Sequence, residues 1–147
     1  MPHFGLMDAT KMTETDAALL RARLHVRGAR RRFEVGKYAA GIAALYDALS
    51  YAMHWYIILP EHQEKLDVVG ADLNRDKDLF TALARGGVLD RSFDFDAFER
   101  LTYQALDDPS MRFDAPRILA QVEQVLTALG VLPFDEVALP PENPAAI

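Results

Sequence analysis

Apolar residues recur with a helical period along the first third of the chain. At 100° per residue, Ala18, Leu19, Ala22, Val26, Ala29 and Phe33 fall on one stripe, and Arg23, Arg27, Arg30 and Arg31 fall roughly opposite. Arg21 and Arg32 flank the stripe on its other side. Thr13 or Thr15 is placed to cap this helix, with Glu14 or Asp16 near its positive N-terminal end. Gly36, free to take a positive φ, supplies the stop. The pattern then changes kind. Residues 38–59 are apolar nearly all round, Asp47 being the single formal charge in twenty-two positions, and Pro60 ends the run.

Downstream, the period is helical but broken. EHQEKLDVV after Pro60 predicts a short piece, Gly70 and Asn74 mark a turn, and DKDLFTALARGG predicts a second piece ending on Gly86 and Gly87. Phe95, Phe98, Leu101, Tyr103 and Ala105 or Leu106 fit a helix over about 94–107, with Asp94 or Asp96 at its start and Pro109 beyond its end. Asp114 caps a last long helix with Pro116 in its first turn and Gly130 at its end. Its core stripe is Ile118, Val122, Val125, Leu126 and Leu129. No strand pattern competes, and no repeat occurs. The fold class is therefore all-α: an up-and-down bundle of four principal helices, with short helical segments in the middle connection. The organisation reads as an N-terminal arm (1–12), the bundle (13–130), and a proline-rich tail (131–147) expected to be extended or partly disordered.

The length of the second helix matches a membrane span. A carboxylate at its midpoint, however, costs about 2.5–3.5 kcal/mol on insertion scales. Ser50, His54 and the tyrosines add further polar groups, so the centre of a bundle is the simpler place for it. The 147 residues suit one domain, and half of them are hydrophobic. No cysteine is present, which excludes disulfides, thiolate metal sites and cysteine nucleophiles. The N-terminal residues lack a basic segment followed by an apolar one, so no signal peptide is read and a cytoplasmic location is expected.

The net charge of −6 is unevenly spread. Residues 1–37 carry eight Lys/Arg against four Asp/Glu, whereas residues 38–147 carry eight against eighteen. One basic element sits on an acidic body. Its arginines either pair with acidic neighbours within the fold or form a local face for phosphate or RNA. Arg23, Arg27, Arg30 and Arg31 are the binding candidates on that face.

The run from Arg30 to Tyr56, RRRFEVGKYAAGIAALYDALSYAMHWY, resembles the first two helices of HEPN-type domains. Phe33, Gly36, Tyr38, Tyr46, Ala48 and Ala52 fit the family's helix end, glycine–aromatic turn and inter-helix face, and LFTALARGGVLD is similar to its middle segment. The resemblance spans roughly residues 15–129. It implies a helical bundle, commonly paired into homodimers, beside nucleotidyltransferase-type partners. Many members are metal-independent ribonucleases in which an arginine is followed, after four to six residues, by a histidine. That chemistry needs a fixed cation against the phosphate and an imidazole near its pKa for proton transfer. Here the histidines are His3, His25, His54 and His62, and none has that spacing. Arg100 in the corresponding helix is followed seven positions later by Asp107, which repels phosphate. Arg100 is thus the single catalytic candidate, and a surface ion-pair role is the competing reading.

Asp47 is the residue out of place. A carboxylate in a buried helix must pair, hydrogen-bond or take up a proton. An arginine of the first helix or the Tyr51 hydroxyl can satisfy it; the functional alternative is a pocket in which Asp47 holds an amine or guanidine base. His54 shares its helix face and can act with it as an acid–base pair. His25, one residue outside the apolar stripe and between arginines, reads as a helix-surface residue, with membership of an anion site as the alternative. His54, His62, Glu61 and Glu64 have no metal-ligand spacing, and no phosphate loop occurs, so neither metal nor cofactor is expected. The function expected from these features is a non-catalytic, homodimeric binding or accessory module beside a nucleotidyltransferase-type or other nucleotide- or RNA-linked partner. A diverged ribonuclease and a structural oligomerisation domain are the alternatives.

Overall fold

In the computed structural model, which describes residues 7–64 and 66–147 (the side chains of Ala9 and Ala146 excepted), the Thr13 hydroxyl accepts the Asp16 amide at 3.1 Å and opens α1, Glu14–Glu34. His3 and the first half of the N-terminal arm lie outside the described residues. Gly36, at φ 79°, turns the chain into α2, Tyr38–Ile58, and Pro60 opens the single turn of α3, Pro60–Gln63. The remaining helices are α4 (Asp76–Arg85), α5 (Phe95–Asp107) and α6 (Ala115–Leu129). No strand occurs among the described residues.

α2 is the hub. It forms the most extensive helix pair with α1 and also packs against α3, α4, α5 and α6. Ile42, Leu45, Leu49 and Met53 on α2 are fully buried, and each such side chain stabilises the fold by about 1.5–3 kcal/mol. Apolar residues on nearly every side of α2 thus answer to protein neighbours, and among the described residues no helix is long and apolar enough to cross a membrane. Gly41 lets α1 and α2 close at their connected ends: a Cβ there would lie 2.6 Å from the Phe33 ring. Val26 and Ala29 of α1, Phe98 of α5, and Val122 and Leu126 of α6 complete the centre.

α3 is shorter than EHQEKLDVV suggests. Beyond it, Asp67 Oδ1 accepts the Val69 amide at 3.1 Å and Val68 O accepts the Ala71 amide. Such local bonds offer the backbone an alternative to helix, and Gly70 with positive φ fits the turn they make. Asp94 and Asp114 cap α5 and α6 through the Ala97 and Arg117 amides. Lys77 pairs with Asp96, which ties α4 to α5.

The tail is ordered against the bundle. Val131 and Leu132 are buried, and the chain then runs back along α1 through short turns at Glu136–Ala138 and Pro144–Ala146. It is extended but docked. This segment is called the strap below.

Candidate functional site

Two polar regions contain the candidate residues. The first is the arginine face of α1. Arg23 Nε donates to Val131 O at 3.1 Å, and Arg27 Nη1 donates to Pro140 O at 2.7 Å. Arg30 reaches Glu123 of α6 at 3.2 Å and Glu136 at 3.0 Å. Arg31 reaches Glu136 at 2.5 Å, Glu142 at 3.0 Å and Glu34 at 3.4 Å. The Phe134 ring lies against two guanidinium groups, with Arg23 and Arg30 at 5.5 and 5.6 Å from its centroid. Arg27 is only 5% exposed. Of the two readings of this face, pairing within the fold is the one these contacts show: it is filled by the chain's own carboxylates, carbonyls and one aromatic ring, and an external anion has to displace the strap to reach it.

These contacts shift the groups as charge complementarity requires. Burial works against the Glu136 carboxylate, but hydrogen bonds from Arg30 and Arg31 outweigh it and hold Glu136 below the usual carboxylate range. Burial alone lowers Arg23 from the usual arginine value.

The second region lies at the middle of α2. The ionic contact of Asp47 is with His25, whose Nε2 stands 3.8 Å from Asp47 Oδ2. His25 is 6% exposed, which corrects its reading as a helix-surface residue. Its Nδ1 lies 2.7 Å from the Arg21 carbonyl oxygen, an acceptor only, so Nδ1 carries the hydrogen and donates it. Its ring also packs on Tyr51 at 5.3 Å between centroids, and Arg21 covers the same tyrosine. Burial lowers His25 from its usual value; burial, reinforced by the charge of Asp76 and opposed by His25, raises Asp47. Both shifts favour the neutral forms of the two side chains.

Two hydroxyls, of Tyr46 beside Asp47 in the chain and of Ser50 one turn further on, serve two further carboxylates. Tyr46 Oη lies 3.0 Å from Asp76 Oδ2 and 2.9 Å from Glu99 Oε2, and Ser50 Oγ donates to Asp76 Oδ1 at 2.6 Å. Tyr46 has one hydrogen for two carboxylate oxygens and donates to one at a time. Burial, then the hydrogen bond to Glu99 and the charge of Asp76, push its hydroxyl above the usual phenol range, so it stays a donor. Three carboxylates with two hydroxyls and a buried imidazole make an electronegative patch that repels phosphate.

Asp47 and His54 are not brought together as an ionic pair: His54 Nε2 instead lies 3.6 Å from Glu14. His62 Nδ1 donates to Tyr56 O, 2.8 Å away, and its ring stacks on the Tyr56 ring, an arrangement that fixes the α2–α3 junction. Arg100 stands on the exposed face of α5. No group of three or more His, Asp or Glu among the described residues is placed to hold a metal ion. Sequence reasoning left out Phe134, Glu136, Glu142, Glu123 and Glu99, and it placed Asp76 merely within a helical segment. The signal for the strap was present as charge: Asp135, Glu136 and Glu142 with no Lys or Arg over 131–147, against the arginine run. The Glu99–Tyr46–Asp76 contact had no such signal, because it joins three separate helices. No family model, curated protein or solved structure matches the chain in the comparisons with known proteins.

Proposed function

We propose that this protein is a cytoplasmic, non-catalytic helical binding or accessory module. It acts as a homodimer beside a nucleotidyltransferase-type or other nucleotide- or RNA-linked partner. The observation that carries this reading is the division of labour between α1 and α5. Arg23, Arg27, Arg30 and Arg31 are held by the strap, and Asp107 stands where the HEPN-like ribonuclease pattern calls for a histidine. α5 buries Phe95, Phe98, Thr102 and Ala105 but leaves Tyr103 59% and Leu106 51% exposed, on a helix that also exposes Arg100. Tyrosine and arginine are enriched where proteins meet.

Two measurements test the reading. Purified protein is expected not to cleave single-stranded RNA; cleavage that disappears in Arg100→Ala establishes the ribonuclease alternative instead. Light scattering is expected to give a dimer that Tyr103→Glu with Leu106→Glu converts to monomer. A strict monomer at high concentration removes the dimer from the proposal.

A further inference from the structure

The strap is held unlike the rest of the molecule. Past Leu132, none of its described side chains is buried. What holds it is the partly buried Phe134 ring, packed against the core, and a series of polar contacts whose acidic partners, Glu136 and Glu142, remain roughly a third exposed. Pairs of that kind contribute about 0–1 kcal/mol each, since water competes for them. Prolines 133, 140, 141 and 144 favour an extended backbone, so little conformational freedom is lost when such a segment binds. The strap is built as a ligand is built.

The surface below it is held independently. Arg30 is anchored by Glu123 of α6 and Arg31 by Glu34 of α1, neither of which belongs to the strap. Arg27 lies in a desolvated position under Pro140. Removing the strap therefore leaves an arginine row still positioned from behind, with donors that have lost their acceptors. Unpaired buried donors are costly, and this makes the row receptive to another acceptor of the same shape.

We infer that the arginine face of α1 is a recognition site for an extended acidic segment of a partner protein, and that the strap is its occupant in cis, covering the site until the partner competes. The chemistry of that segment is written in the strap. An aromatic ring lies against Arg23 and Arg30. A carboxylate two residues later spans Arg30 and Arg31 with its two oxygens, at 3.0 and 2.5 Å. Further along, a proline carbonyl accepts from Arg27, and a second carboxylate two residues beyond it meets Arg31 at 3.0 Å and Arg27 at 3.8 Å. A peptide reproduces the ring, the carbonyl and the planar carboxylates together. A polyphosphate supplies anions alone, without the ring that meets Arg23 and Arg30 or the carbonyl that meets Arg27. The inference names a partner chemistry for the binding-module reading but rests on α1 and the strap, independently of the α5 dimer.

The test opens the strap in the full chain with Phe134→Ala, Glu136→Gln and Glu142→Gln, and uses as probe a fluorescein-labelled peptide of residues 131–147. Fluorescence anisotropy at low salt is expected to show the opened chain binding the probe about ten-fold or more tighter than the unaltered chain, where the strap competes. Adding Arg31→Glu to the opened chain is expected to weaken binding by about ten-fold or more. Equal binding by opened and unaltered chains, no binding by either, or indifference to Arg31→Glu overturns the inference. Capture of a labelled single-stranded RNA in place of the peptide overturns it too, and assigns the face to polyphosphates. If the triple variant loses its helical circular dichroism, Glu142→Gln alone is read by amide hydrogen exchange. Exchange of the 133–147 amides about ten-fold or more faster, with α1 protection unchanged, supports an exchangeable strap; unchanged exchange rejects it. Light scattering of the same variants reports the dimer separately, so either reading can fail alone.

Discussion

The arginine face of α1 and the carboxylate group on α2 lie on the two helices that pack most extensively, and they solve opposite electrostatic problems. On α1 the charges are complementary: guanidinium rows meet the Glu123, Glu136 and Glu142 carboxylates, and Glu136 is held below its usual range. Around α2, Asp47 and the acids Asp76 of α4 and Glu99 of α5 share a neighbourhood with two hydroxyls and one imidazole, and Asp47 is pushed above its usual range. Glu136 gains from ionisation, whereas Asp47 gains from keeping a proton. That difference separates a surface built to hold an anionic segment from one that excludes anions.

The sharpest way to break the comparison is at Arg27. Arg27→Glu puts a carboxylate into a position 5% exposed, under Pro140 O and near Glu142, and is expected to cost about 3–5 kcal/mol in urea unfolding. A cost below about 1 kcal/mol means the strap simply lifts away, and that Arg27 is not a buried structural charge. Tyr46→Phe comes next. It removes the one hydrogen that Asp76 and Glu99 share and is expected to cost about 1–3 kcal/mol, measured in the same way. A neutral outcome shows that water serves the two carboxylates equally well.

Titration separates the regions by sign. Glu136 has a folded pKa below its ordinary 4.5, so its contribution is present above that value and is lost as pH falls through the folded pKa. Asp47 has a folded pKa above its ordinary 3.8, so its contribution is present below 3.8 and is lost as pH rises through the folded pKa. His25, lowered from 6.5 by burial, weakens the fold as pH falls below 6.5 and so acts in the same direction as Glu136. Melting temperatures across the acid range are expected to show Glu136→Gln reducing the loss of stability at low pH. Asp47→Asn is expected to reduce the loss on the rising side. Identical profiles for the two variants contradict the opposed-sign account. The smallest effect is that of Asp47→Asn near neutral pH. An amide keeps the shape and removes repulsion from Asp76, so stability is expected to stay within about 1 kcal/mol of the parent or to rise. A larger loss identifies the ionised carboxylate as a required partner of His25.

The helices were legible where local chemistry decides them. Thr13, Asp94 and Asp114 cap as their oxygens require, Gly36 stops α1, and Pro60 ends α2. α3 was overestimated because Asp67 bonds its own backbone in a turn, a choice that hydrophobic period does not register. The polar regions were legible only in part. Asp47 stood out because it lacks charged company along α2, yet its partner is His25, placed there by the packing of α1 on α2. The arginine run stood out as well, but its partners lie about a hundred residues away in a segment whose prolines read as loose chain.

What the sequence by itself determined is the set of helices, the apolar character of α2 and the excess of positive charge on α1, because period, caps and composition act over a few residues. What only the tertiary structure decided is which charges meet. The strap closes on the arginine face, and Tyr46 stands between Asp76 and Glu99, through contacts between elements far apart in the chain. No local propensity encodes such contacts, because they depend on how the helices pack around α2.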